Sequence, residues 1–247
     1  MRIIFLGTNG WYDSSTGNTL CVFIESEKYY VVLDAVSGFY KLGRHIGKDK
    51  PVFLFLSHFH LDHIFGLHTL VKFSFYEKLK IFGPEGIKDI LRIIINEPFS
   101  IPQKDLPFEV EAFELPREKE ELPFQVECME LSHTSLTLGY RLHLDEKIIA
   151  YCPDTGYCYN AVELAKDATL LISECSFRSG ESNPEWPHLN PQDASKIAKE
   201  AGAQKLVLPH FDARRYPTMA ARKEAEKVAK ETFPNTSASE DGMEIEI

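Results

Sequence analysis

Short apolar runs, each closed by a polar or turn-forming residue, recur along the chain. Ile3-Ile4-Phe5-Leu6 stops at Gly7, Val31-Val32-Leu33 at Asp34, and Val52-Phe53-Leu54-Phe55-Leu56 at Ser57. Runs of this kind are the pattern of strands buried on both faces. The segments Lys147-Ile148-Ile149-Ala150-Tyr151-Cys152, Thr169-Leu170-Leu171-Ile172 and Lys205-Leu206-Val207-Leu208-Pro209 continue the series. Between them lie helix signals. Ala161 to Lys166 is a short helical segment. Asn190-Pro191-Gln192-Asp193 opens a second helix, with Asn as its cap and Pro in its first turn, and Gly202 stops it at Ala201. Alanines interleaved with charges predict a third helix from about Thr218 to Thr232. The alternating tail Met243-Glu244-Ile245-Glu246-Ile247 predicts a last strand.

Strands followed by helices, with several strands adjacent at the start and in the middle, place the chain in the α/β class. Pro102, Pro107, Pro116 and Pro123 punctuate a charged middle stretch containing Arg117-Glu118-Lys119-Glu120-Glu121. It reads as strand, solvated turn and strand. No linker-like segment or internal repeat divides the 247 residues, so residues 1–247 are expected to form one domain.

Chemistry gathers where the strands end. His58-Phe59-His60-Leu61-Asp62-His63 follows the run at 52–56, and imidazole with carboxylate is the donor set that zinc and similar divalent ions prefer. In extended chain His58 and His60 point the same way. Asp62 and His63, on the following bend, can face a second ion. Further donors, His133, Asp154 and His210, each stand just past another predicted strand. The five cysteines, at 21, 128, 152, 158 and 175, form no Cys-x-x-Cys pair and are too few for a disulfide scaffold. His45, His68 and His143 read as structural or solvated. Gly7-Thr8-Asn9-Gly10 lacks the lysine and spacing of a phosphate loop and reads as a tight turn beside the cleft.

The order His-x-His-x-Asp-His, lone histidine, aspartate, final histidine resembles the metallo-β-lactamase superfamily across nearly the whole chain. That resemblance implies a four-layer αββα sandwich and a dinuclear metal-dependent hydrolase. It further implies one metal on His58, His60 and His133, a second on Asp62, His63 and His210, and Asp154 bridging them. The ions would be two divalent metals, zinc first, with manganese or iron as alternatives. Glu174-x-x-Phe177 followed by His188, and Arg214-Arg215-Tyr216 after His210, resemble the ribonuclease Z group and related small phosphodiesterases. By that likeness a hydroxide generated at the metals attacks phosphorus, Asp62 orients it, His188 protonates the leaving group with Glu174 tuning it, and Arg214 or Arg215 holds a phosphate oxygen.

One departure bears on the substrate. Ribonuclease Z carries a tRNA-gripping arm between the lone histidine and the bridging aspartate, whereas His133 and Asp154 are too close in sequence here to accommodate one. The formal charge of −10 also disfavours a nucleic-acid surface. The expected substrate is a small phosphodiester or cyclic phosphate, with RNA and a second copy of the chain as further candidate partners and no membrane. The alternatives are a ribonuclease Z-type nuclease acting on tRNA 3′ ends, a glyoxalase II-like thioester or lactone hydrolase, and a non-catalytic metal-binding protein. The opening residues lack a signal-peptide pattern, which predicts a cytoplasmic protein.

Overall fold

The computed structural model describes residues 1–75 and 77–247. Its larger sheet has seven strands in the spatial order Glu244–Glu246, Arg2–Gly7, Cys21–Glu25, Tyr30–Leu33, Val52–Phe55, Leu79–Gly83 and Val110–Glu114. The last four run parallel. A second sheet of six orders Thr236–Ala238, Leu206–Leu208, Leu170–Ser173, Lys147–Cys152, Leu138–Leu144 and Val126–Glu130.

Three apolar cores separate four layers. Strand periodicity divides Arg2–Gly7 between two of them: Ile3 and Phe5 face the second sheet, while Ile4 and Leu6 face outward. The inter-sheet core closes with Phe55, Tyr140, Tyr151 and Ile172. Outside the larger sheet, the 3-10 helices Ser37–Arg44 and Phe65–Lys72 and the α-helix Ile87–Ile94 contribute Phe39, Leu70 and Leu91. Outside the second, helices Tyr159–Ala165, Pro191–Glu200 and Met219–Thr232 contribute Leu164, Ile197 and Ala229. The arrangement is the αββα sandwich, and strands buried on both faces explain the unbroken apolar runs.

The helix signals at 190–201 and 218–232 correspond to observed helices. Asn190 accepts a hydrogen bond from the Asp193 amide at 2.9 Å, and Gly202 takes the left-handed φ of +66° that ends its helix. The tail strand pairs antiparallel with Arg2–Ile4. The helix expected at 161–166 begins earlier, at Tyr159, after Cys158 in extended conformation. The tight turn expected at Gly7–Gly10 is instead extended chain: Asn9–Gly10 pairs in parallel with Phe211–Asp212, directly after His210. A Cβ on Gly10 would lie 2.6 Å from Cε1 of His210, so this close approach requires glycine.

Arg222, fully buried on the last helix, ties these segments together. Its guanidinium donates to Thr8 Oγ1 at 2.8 Å, Thr16 Oγ1 at 3.1 Å, the Ser239 carbonyl at 3.2 Å and Asn9 Oδ1, and lies over the Phe211 ring. Burial pushes it down to about 10, so it remains charged at neutral pH. Arg222→Leu strands several buried acceptors. It should lower the unfolding free energy by about 3 kcal/mol, seen as a reduced urea midpoint; an unchanged midpoint would show that the network contributes nothing.

Candidate metal centre

Strand ends from both sheets meet at one rim of the sandwich. His58 lies beyond Val52–Phe55, Asp154 beyond Lys147–Cys152, Glu174 beyond Leu170–Ser173 and His210 beyond Leu206–Leu208, while His133 follows Val126–Glu130. His60 stands just before a four-residue helix, Leu61–Ile64, whose single turn carries Asp62 and His63. His210 adopts a left-handed φ of +56° between two short strands. Ser176 Oγ braces that backbone by donating to the His210 carbonyl at 3.0 Å.

All seven expected ligands come together. His58 Nε2 lies 3.0 Å from His60 Nδ1, and His133 Nε2 lies 3.3 Å from the same atom. On the other side His63 Nε2 and His210 Nε2 are 3.2 Å apart, with Asp62 Oδ2 at 3.8 Å from the latter. Asp154 stands between the groups. Its Oδ1 is 3.1 Å from both His63 Nε2 and His210 Nε2, and its Oδ2 is 3.8 Å from His133 Nε2.

Hydrogen bonding tests whether a cation belongs among these atoms. Ser57 Oγ donates to Asp34 Oδ2 at 2.8 Å and so accepts from His58 Nδ1 at 3.0 Å. His63 Nδ1 donates to Asp34 Oδ2 at 2.8 Å. His210 Nδ1 donates to Ser176 Oγ at 2.9 Å, and His133 Nδ1 to the Pro187 carbonyl at 3.3 Å. Each of these rings sends its Nδ1 proton outward, which leaves the Nε2 lone pair turned inward in the neutral form. Lone pairs facing one another at such distances repel unless a cation lies between them. Two nitrogens on one tetrahedral zinc would be roughly 3.4 Å apart, close to the spacings observed. Asp154 Oδ1, buried, has no aligned hydrogen-bond partner among the described residues. The donor set fits divalent metal.

Burial opposes charge on every group here, and neighbours decide the outcome. His58, close to other histidines, is held below its ordinary value, whereas Asp154 and Asp34 carry His63 above its own. Against burial, His210 and His63 hold the Asp62 carboxyl below the usual range.

Sequence reasoning missed the outer partners. Asp34 collects the Ser57 amide at 2.7 Å and the Tyr151 hydroxyl at 2.5 Å besides His63. Its one available signal was an acid closing a buried apolar run. Nothing local marked Ser57 or Ser176.

His188 and Glu174 also reach the site. Glu174 is fully buried, and its Oε1 accepts from His188 Nδ1 at 2.7 Å and the Thr155 amide at 2.7 Å. The His188 ring stacks on His210 at 6.0 Å between centroids. The arginines differ. Arg214 is exposed, and its amide donates to Asp212 at 2.8 Å. Arg215 is engaged by Asp212 at 2.6 Å and Glu181 at 2.8 Å, so its guanidinium braces the loop before His188. His68 is exposed, His45 follows a 3-10 helix and His143 bonds Glu127, while the cysteines stay outside the donor clusters.

A family model described as Beta-lactamase superfamily domain matches residues 29–211. The chain belongs to the β-lactamase superfamily. Among its relatives, Ribonuclease Z of Methanosarcina acetivorans is 27% identical over 100% of this chain and 98% of its own length. Ribonuclease Z of Sulfolobus acidocaldarius is 26% identical over 94% and 95%. Two solved structures share the superfamily fold. The metallo-β-lactamase fold protein YhfI from Bacillus subtilis superposes with a TM-score of 0.79 at 22% identity, covering 99% of each chain. The short form of human tRNase Z superposes at 0.75 and 24%, covering 100% of this chain and 99% of that one. With this superfamily and these relatives, the chain is a metal-dependent hydrolase. No helix among the described residues is long and apolar enough to cross a membrane.

Removing a partner that orients a metal ligand weakens metal binding about 10- to 100-fold. Asp34→Asn should do so in competition with a chromophoric chelator, while His143→Ala binds like the parent. Parental affinity in Asp34→Asn would show that Asp34 does not orient His63.

Proposed function

We propose that residues 1–247 act as one dinuclear phosphodiesterase on a small phosphodiester or cyclic phosphate. The observation that carries this reading is the His188–Glu174 pair packed beside both donor clusters. A thiolate, from a thiol of pKa near 8.5, departs without a proton, whereas an alkoxide, the conjugate base of a much weaker acid, does not. A thioesterase has little use for a buried acid here; a phosphodiesterase needs one.

Two divalent ions held by His58, His60, His133 and Asp154, and by Asp62, His63, His210 and Asp154, would supply a hydroxide nucleophile and neutralise charge on the phosphoryl oxygens. The donor set suits zinc first, and manganese or iron as well. Asp62, kept ionised, orients the nucleophile. Burial disfavours charge on His188, and Glu174, with Asp154 and Asp62 behind it, overcomes that and raises the imidazole to about 9. Divalent cations bound nearby would lower this value. Because Nδ1 is committed to Glu174, Nε2 is the atom that passes the proton to the leaving oxygen. Arg215, paired with Glu181 and Asp212, serves this reading as a brace, which leaves Arg214 as the candidate for phosphate contact.

The segment joining His133 to Asp154 supports a small substrate. It contains the hairpin Leu138–Leu144 and Lys147–Cys152, turned by Asp145 and Glu146 at φ of +47° and +61°. A two-residue turn carries no protruding arm. The alignment with the Methanosarcina relative runs over 308 positions against 247 residues here, so that protein has some sixty residues without a counterpart. The relatives' name, Ribonuclease Z, favours a second reading, an endoribonuclease acting on tRNA 3′ ends.

Metal-loaded protein should cleave bis-p-nitrophenyl phosphate, and Asp154→Ala should abolish the reaction. Thioester turnover with an inert diester would overturn the proposal, and preferential cleavage of precursor tRNA would favour the second reading. His188→Ala should slow a diester with an alkoxide leaving group by about 10²- to 10⁴-fold and one losing p-nitrophenolate far less. With the alkoxide substrate, parental activity should fall as pH rises through the His188 pKa, and the variant should lack that limb. Equal losses on both substrates would assign His188 a structural role.

A further inference from the structure

The chain contains two tryptophans, and both stand beside the metal centre. Trp11 donates its backbone N–H to Asp62 Oδ2 at 3.0 Å, while its side chain points into solvent. Trp186 makes contact through its ring. The indole lies parallel to the His60 imidazole, 7° between planes and 6.0 Å between centroids, and meets the His133 ring at 5.9 Å and 72°. Its side chain is nevertheless half in water, 49% exposed.

Trp186 ends a run of exposed residues, 178–186, immediately before Pro187 and His188. The loop is pinned rather than loose. Arg215 holds Glu181 at 2.8 Å, Asn190 Nδ2 donates to the Glu181 carbonyl at 3.0 Å, and the Pro187 carbonyl accepts from His133. A large flat apolar ring is thereby fixed at the mouth of a polar site. Leu61, between the His60 and Asp62 donors in the chain, is 71% exposed, and Phe65, one turn further on, 57%. An apolar rim around convergent polar groups marks where a ligand covers itself. An aromatic face accepts any flat heterocycle, and stacking a base on it is a recurrent, sequence-tolerant device.

We propose that Trp186 determines specificity by stacking the base of a nucleotide substrate whose phosphodiester sits at the metals. The proposal rests on the phosphodiesterase reading and names its substrate class: a nucleoside cyclic phosphate or a similarly small nucleotide ester. The rim offers one exposed indole on the His60 side, enough for one base, and a long polyanion is disfavoured by the chain's net charge of −10.

The test uses fluorescence and kinetics on the metal-loaded full chain. In Trp11→Phe the only indole left is Trp186, and the backbone bond to Asp62 is retained. Adenosine 5′-monophosphate should quench its emission saturably, and ribose 5-phosphate should not. Adenosine 2′,3′-cyclic phosphate and the same cyclic ester of methyl riboside then separate base from phosphate. Trp186→Ala should raise KM for the adenosine ester about tenfold with kcat retained, leave the methyl riboside ester unaffected, and be largely rescued by Trp186→Phe. Absent quenching, equal quenching by ribose 5-phosphate, or an unchanged KM would overturn stacking, even where both esters are cleaved. Quenching without cleavage of either ester, or of bis-p-nitrophenyl phosphate, would support stacking and overturn the phosphodiesterase reading instead.

Discussion

A buried carboxylate surrounded by imidazoles is the constraint on which this structure depends. Asp154 is nearly inaccessible to solvent, yet neither lysine nor arginine pairs with it, and one of its oxygens has no aligned donor among the described residues. Such a charge is costly to bury unless cations or hydrogen bonds compensate it. The histidines around it cannot all be protonated, because their nitrogens stand 3.0–3.3 Å apart. Divalent metal resolves both conflicts at once. The sandwich supplies the geometry: strand ends from two sheets are held to one rim by three well-packed cores, so donors far apart in sequence meet without any one loop having to place them all.

Much of this was legible in the chain because the signals are local. Apolar runs closed by polar residues located the strands, and the histidine motif and the donors at 133, 154 and 210 were readable as strand-end residues. What could not be read depends on pairings across the fold. Asp34 acquires its importance only when Ser57, His63 and Tyr151 are brought to it. Gly10 reads as turn chemistry until His210 is placed against it. Arg215 reads as a phosphate ligand until Glu181, on a loop without periodicity, takes its guanidinium. Trp186 belongs to that same loop, so its position over His60 had no sequence signature.

The loop at 178–188 brings together the two residues on which the proposals turn. It carries His188, the acid of the proposed mechanism, supplies the Pro187 carbonyl that accepts from His133, and presents Trp186 to solvent. A substrate stacked on the indole would lie beside His188. The hairpin between His133 and Asp154 turns on two residues, in keeping with the small esters proposed as substrates.

The most direct test is anomalous diffraction from crystals of the zinc-loaded protein, recorded on either side of the metal edge. Two peaks are expected, on the order of 3.5–4 Å apart, with Asp154 between them, His58, His60 and His133 around one and Asp62, His63 and His210 around the other. A single peak, or two peaks with Asp154 bound to neither, would contradict the bridged dinuclear centre.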